Sequence, residues 1–69
     1  MKLLEEIENI KSQDLSLSEL ANRVENAIVK FNKYVKETYI LDMDEDTLDS
    51  LTVNRMAYKK VLIEKLGDL

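Results

Sequence analysis

The residues that chemistry would need first are mostly missing. The 69-residue chain has no cysteine and no histidine, which removes the thiolate nucleophile, the commonest general base and the commonest transition-metal ligands together. Ser12, Ser16, Ser18 and Ser50 therefore have no imidazole to activate them. Carboxylate pairs such as Glu5–Glu8 and Asp46–Asp49 have acid–base potential in principle, but acids three residues apart are routine on a solvated helix. The acidic run from Asp42 to Asp46 is the one constellation with metal-site character. Counted from Asp42, positions 1, 3 and 5 of an EF-hand loop are Asp42, Asp44 and Asp46, but position 6 is Thr47 in place of glycine and position 12 is Val53 in place of a bidentate acid. The run reads better as the acidic first turn of a helix. The chain is expected to be no enzyme, with no metal and no cofactor.

Charge narrows the partners. Ten basic residues against fourteen acidic ones give a net charge of -4, the wrong sign for generic nucleic-acid binding. Lys30, Lys33 and Lys36, with Arg55, Lys59 and Lys60, are the only basic cluster, and no glycine-rich loop or aromatic platform accompanies them. Direct contact with nucleic acid is not expected. No apolar run exceeds three residues, so no membrane span is expected. Leu3-Leu4 gives way at once to Glu5-Glu6, unlike a secretory signal, and a cytoplasmic location is the expectation.

The elements that would position any site are helices. With no proline and a single glycine, Gly67, almost nothing interrupts the chain. Leu3, Leu4, Ile7 and Ile10 fall at helical spacing and predict a first helix near 2–12, stopping at Gln13-Asp14. Ser16-Leu17-Ser18-Glu19 reads as a capping box opening a second helix over 17–40. Leu17, Leu20, Ala21, Val24, Ala27, Ile28, Phe31, Tyr34, Val35, Thr38 and Tyr39 line one stripe of it. Acids at 42–46 then open a third helix over 43–66, with Gly67 placed to close it in the left-handed conformation. Leu48, Leu51, Tyr58, Leu62 and Leu66 form one stripe of this helix, while Val53, Ala57 and Val61 populate another face. It must be either largely buried or broken near Thr52.

The expected fold is all-α, one domain over 1–69: a small three-helix up-down-up bundle, or a helical hairpin with a third helix, and oligomeric. Alternating charge favours packing of sequential neighbours, with residues 21–36 at +3 between segments at -3 and -6. A chain this small buries only about 60% of its unfolded surface, so a lone core is marginal without a disulfide. A second copy, most simply in a dimer, or a partner protein would complete it. The first helix, at about 1.5 Å per residue, spans some 16 Å of a second helix of about 36 Å. That leaves the segment from Phe31 to Tyr39 for another element. Val24, Ile28, Phe31 and Val35 are expected at the centre of the packed stripe, with Leu20, Ala27, Tyr34 and Tyr39 nearer its edges. The candidate interface is Phe31, Tyr34, Val35, Tyr39 and Tyr58, with Tyr34 and Tyr39 serving association more than folding. The alternative is an acidic face of Asp42, Asp44, Glu45, Asp46 and Asp49 that occupies a partner's nucleic-acid-binding groove.

One local pattern resembles a known family. Leu3-x-Glu5-x-Ile7-Glu8-x-Ile10-x-Ser12-x-Asp14-Leu15-Ser16-Leu17-x-Glu19, followed by Val24-Glu25-x-Ala27, is similar to the small subunit of exodeoxyribonuclease VII. Gln13 stands where that family's turn glycine belongs, Val24 replaces an aromatic, Ala27 replaces a helix glycine, and nothing after about Lys36 matches. The resemblance covers roughly half the chain. It implies a non-catalytic helical hairpin that binds a large nuclease subunit, and it carries no catalytic residue onto this sequence.

Overall fold

A computed structural model describes residues 2–68; Met1 and Leu69, the ends of the expected 1–69 domain, lie outside the described residues. Helix α1 spans Lys2–Ser12, α2 Leu17–Glu37 and α3 Glu45–Gly67, with a 3-10 turn at Ile40–Asp42 between the last two. The architecture is all-α, as the spacing of apolar residues requires.

The α1–α2 corner lies where the sequence placed it. Asp14 takes up the left-handed conformation with φ 49°, a geometry that a short polar side chain tolerates better than most. Ser16 then caps α2 by accepting the Glu19 N–H at 3.1 Å. The reciprocal arm of the expected capping box, from Glu19 back to the cap, is not among the hydrogen bonds formed.

The packing departs from a simple hairpin. Both α1 and α2 pack on α3, and no Cα of α1 comes within 8 Å of α2. The cause is visible in α3 itself, whose apolar residues face more than one side, so it is the only helix able to bury two neighbours at once. For the same reason α3 is unbroken through Thr52. The helix directions follow from contacts at the ends. Lys11 pairs with Glu64 at 2.7 Å, and Lys65 donates to the Leu15 carbonyl at 2.6 Å, so α1 runs parallel to α3. Arg23 reaches Tyr58 near the start of α2, and Tyr34 reaches Asp44 near its end, so α2 runs antiparallel. The path is up-down-up.

The core is small: Ile7 and Ile10 from α1, Leu20 and Ala27 from α2, and Ala57, Tyr58 and Val61 from α3. Ile10 and Leu20 are its largest fully buried side chains, each 1% exposed. Leu3, Leu15, Val24 and Leu62 pack around it. The expected centre of the α2 stripe is therefore displaced by roughly one residue width. Leu20 and Ala27 are buried, Val24 and Phe31 are half-buried, and Ile28 and Val35 are exposed. Having α3 as its sole neighbour turns the stripe toward one edge, and the other edge stays in solvent.

Two boundaries move. The second helix ends at Glu37, not near residue 40: Thr38 is extended (φ -97°, ψ 126°) and its N–H closes on the Tyr34 carbonyl. Thr38, Tyr39 and Ile40 are all poor helix formers, two of them β-branched. The third helix starts at Glu45, with Asp44 as its cap, and runs through Gly67. Gly67 is not left-handed; Asp68 ends the helix in a right-handed conformation, bonding back to the Leu66 and Lys65 carbonyls.

Candidate protein-interaction surface

The connection from α2 to α3 is short and tied at both ends. The Asp44 N–H donates to the Tyr34 hydroxyl at 2.8 Å, and the Asp42 N–H donates to the Tyr39 carbonyl at 2.8 Å. Within this frame Met43 turns inward and is half-buried. Tyr39, Ile40 and Leu41 point out and are 67%, 76% and 83% exposed. Three consecutive large apolar side chains held in solvent by a hydrogen-bonded turn are costly for an isolated molecule and useful for binding. Val35, one turn earlier, is also exposed.

Acids surround this turn. Asp42, Asp44, Glu45, Asp46 and Asp49 are all exposed. Asp44 accepts from the Thr47 hydroxyl at 2.7 Å, and that bond, aided by the N–H groups of Asp46 and Thr47, holds its carboxyl below the ordinary aspartate range. The segment is thus an acidic helix start set beside an apolar knob. Among the described residues, no group of three or more His, Cys, Asp or Glu side chains is placed to hold a metal ion.

The residues picked out from sequence do not form one surface. Val35 and Tyr39 are exposed. Phe31 and Tyr34 are half-buried against α3: the Arg55 guanidinium sits 4.6 Å from the centre of the Phe31 ring, and Tyr34 holds the Asp44 N–H. Tyr58 is 8% exposed and belongs to the core, its hydroxyl facing Arg23 Nη1 at 3.3 Å. Tyr34 and Tyr58 therefore serve the fold as well as any partner. Ile40 and Leu41, the most exposed large apolar residues, fall outside the candidate interface expected from the sequence, because an expected second helix reaching residue 40 absorbs the apolar run into its end. The signal available was their position immediately before an Asp-rich helix cap, where the apolar stripe has nowhere to continue.

A second exposed apolar set lies on α3, where Met56, Ile63 and Leu66 are 46%, 54% and 50% exposed. An open surface depression between α1 and α3 is lined by Lys2, Glu5, Glu6 and Asn9 on one side and by Ser50, Leu51, Val53 and Asn54 on the other. Among the described residues, no helix is long and apolar enough to cross a membrane. Comparison of the chain with protein-family models, with curated proteins and with solved structures finds no match.

Proposed function

We propose that this chain is a non-catalytic helical interaction module of the cytoplasm, an accessory subunit or small regulator that binds a partner protein, itself or both. The observation that carries the reading is the turn Tyr39-Ile40-Leu41, exposed at 67–83% and braced by the Tyr34–Asp44 hydrogen bond. Burying one such side chain contributes about 1.5–3 kcal/mol, and a preformed turn loses little further entropy on docking. The resemblance of residues 3–36 to the exodeoxyribonuclease VII small subunit implies a subunit whose partner owns the chemistry; the α1–α2 hairpin that it also implies is not formed, since both helices pack on α3 and not on each other.

The acids around the turn favour one rival, an inhibitor that presents Asp42, Asp44, Glu45, Asp46 and Asp49 to a partner's basic nucleic-acid groove. Salt separates the two. Binding through Ile40 and Leu41 persists as ionic strength rises, whereas binding through the acids weakens steeply. The experiment is capture on the tagged chain, compared with its Ile40→Ser/Leu41→Ser variant, at low and raised salt. Loss of the bound protein in the variant with retention in salt supports the apolar interface; the reverse pattern supports the acidic one.

A further inference from the structure

The turn is not the only unpartnered surface, and the outward side of α3 has a more informative pattern. Two sides of α3 are covered, one by α1 and one by α2. Along the remaining side run Glu45, Asp49, Thr52, Met56, Lys59, Ile63 and Leu66, spaced alternately four and three residues apart. That is the spacing of a coiled-coil seam, and every member except the half-buried Thr52 is exposed. Ala21, Ile28 and Val35, spaced seven residues apart, are the exposed edge of the α2 stripe.

Charge along the seam is segregated by position. Its first half carries Glu45 and Asp49; its second half carries Lys59, with Lys60 beside it. None of these four side chains is in an ion pair among the described residues. Arg55, Met56, Lys59, Lys60 and Ile63 line a shallow depression there, a basic and apolar surface that suits an acidic and apolar helix. The acidic half of the same seam, Glu45 and Asp49, supplies the opposite charge, with Met56 at the centre as the apolar residue next to both halves.

We infer that a second copy of this chain docks on the outward side of α3, with the two α3 helices antiparallel across a two-fold axis level with Asn54. In that register Thr52 faces Met56 of the other copy and Asp49 faces Lys59, with Lys60 next to it. Glu45 faces Ile63. A parallel arrangement would set acid on acid and base on base, so the charge order selects the antiparallel one. The inference rests on the reading of the chain as an interaction module, but it uses a face that does not include Tyr39, Ile40 or Leu41.

Sedimentation equilibrium on the full chain tests it, with five samples: wild type, Lys59→Glu/Lys60→Glu, Glu45→Lys/Asp49→Lys, an equimolar mixture of those two variants, and Ile40→Ser/Leu41→Ser. Circular dichroism on each verifies helicity, since lysine near the start of α3 opposes the helix dipole. The expected result is a wild-type species of twice the 8.0 kDa chain, self-association weakened at least about tenfold in each variant, and recovery in the mixture. Should either reversed variant lose helicity, Ile63→Ser on the exposed seam replaces it and must weaken association with helicity intact. An 8.0 kDa wild type at about 100 µM, a mixture no better than its components, or loss of association in Ile40→Ser/Leu41→Ser would each overturn the inference. Partner capture by the turn is a separate readout, so failure here and failure of the module reading are distinguishable.

Discussion

The Tyr34 hydroxyl accepts the backbone N–H of Asp44 at 2.8 Å, joining the last turn of α2 to the residue that caps α3. The bond does two things. It satisfies an N–H at a helix start, and it fixes the angle at which the Tyr39–Leu41 turn leaves the bundle.

Tyr34→Phe, which removes the bond and keeps the ring, should therefore lower stability by about 0.5–1 kcal/mol, because the group is only part-buried. Urea denaturation should show a lower midpoint with an unchanged slope. Tyr34→Ala should cost more than that, which makes Tyr34 a residue of the fold as much as of any interface.

Asp14 is the single non-glycine residue with positive φ among the described residues. Asp14→Gly should be neutral or stabilising by up to about 1 kcal/mol, the relief of left-handed strain offsetting the greater freedom of the unfolded chain. Asp14→Val, β-branched at the same φ, should destabilise by more than about 1 kcal/mol. Thermal melts of the pair, followed by circular dichroism, check the sign of each change.

The legibility of the fold varied with the kind of signal. Helix α2 and its Ser16 cap were readable because apolar periodicity and capping chemistry agree there. The central place of α3 was half-readable: apolar residues on several sides announced a helix with more than one neighbour, but not which neighbours. The end of α2 was unreadable from periodicity because Tyr39, Ile40 and Leu41 are apolar and continue the look of the stripe. What ends the helix is the low helix propensity of Thr38–Ile40 together with the tie from Tyr34 to Asp44, a contact ten residues apart that no local pattern encodes. The expected interface mixed residues of two kinds for the same reason. Tyr58 and Tyr39 look alike in sequence, and only packing assigns one to the core and the other to solvent.

Leu20 is the most deeply buried large residue of α2, 1% exposed. Leu20→Ala should cost about 2–4 kcal/mol. A core of this size rarely supplies more than about 3–5 kcal/mol in total, so the variant should be largely unfolded in isolation. Far-ultraviolet circular dichroism at room temperature reads this directly.

Stability should depend little on pH near neutrality, because no histidine is present. The Lys11 hydrogen bond and charge hold the Glu64 carboxyl below its ordinary 4.5, and Thr47 holds the Asp44 carboxyl below its ordinary 3.8. A lowered folded value means a contribution fully present above the ordinary value and lost as pH falls through the folded one. Denaturation midpoints should therefore hold steady down to about pH 5 and fall below that. Glu64 in turn raises Lys11 above its ordinary 10.5, a contribution lost only as pH rises past the folded value. Both Lys11 and Glu64 are exposed, so Glu64→Gln should flatten only part of the acid limb, and added salt should shrink the difference.

The most direct test of the interaction module is quantitative capture on four immobilised chains: wild type, Ile40→Ser/Leu41→Ser, Asp44→Asn/Asp46→Asn and Lys33→Ala. Lys33 lies on the polar side of α2 and serves as the control. A partner protein held in stoichiometric amount by wild type and by Lys33→Ala, retained at about 0.5 M salt and lost at least about tenfold from Ile40→Ser/Leu41→Ser, is the expected result. Retention by Ile40→Ser/Leu41→Ser, or release by salt together with loss on Asp44→Asn/Asp46→Asn, would contradict an apolar interface at this turn.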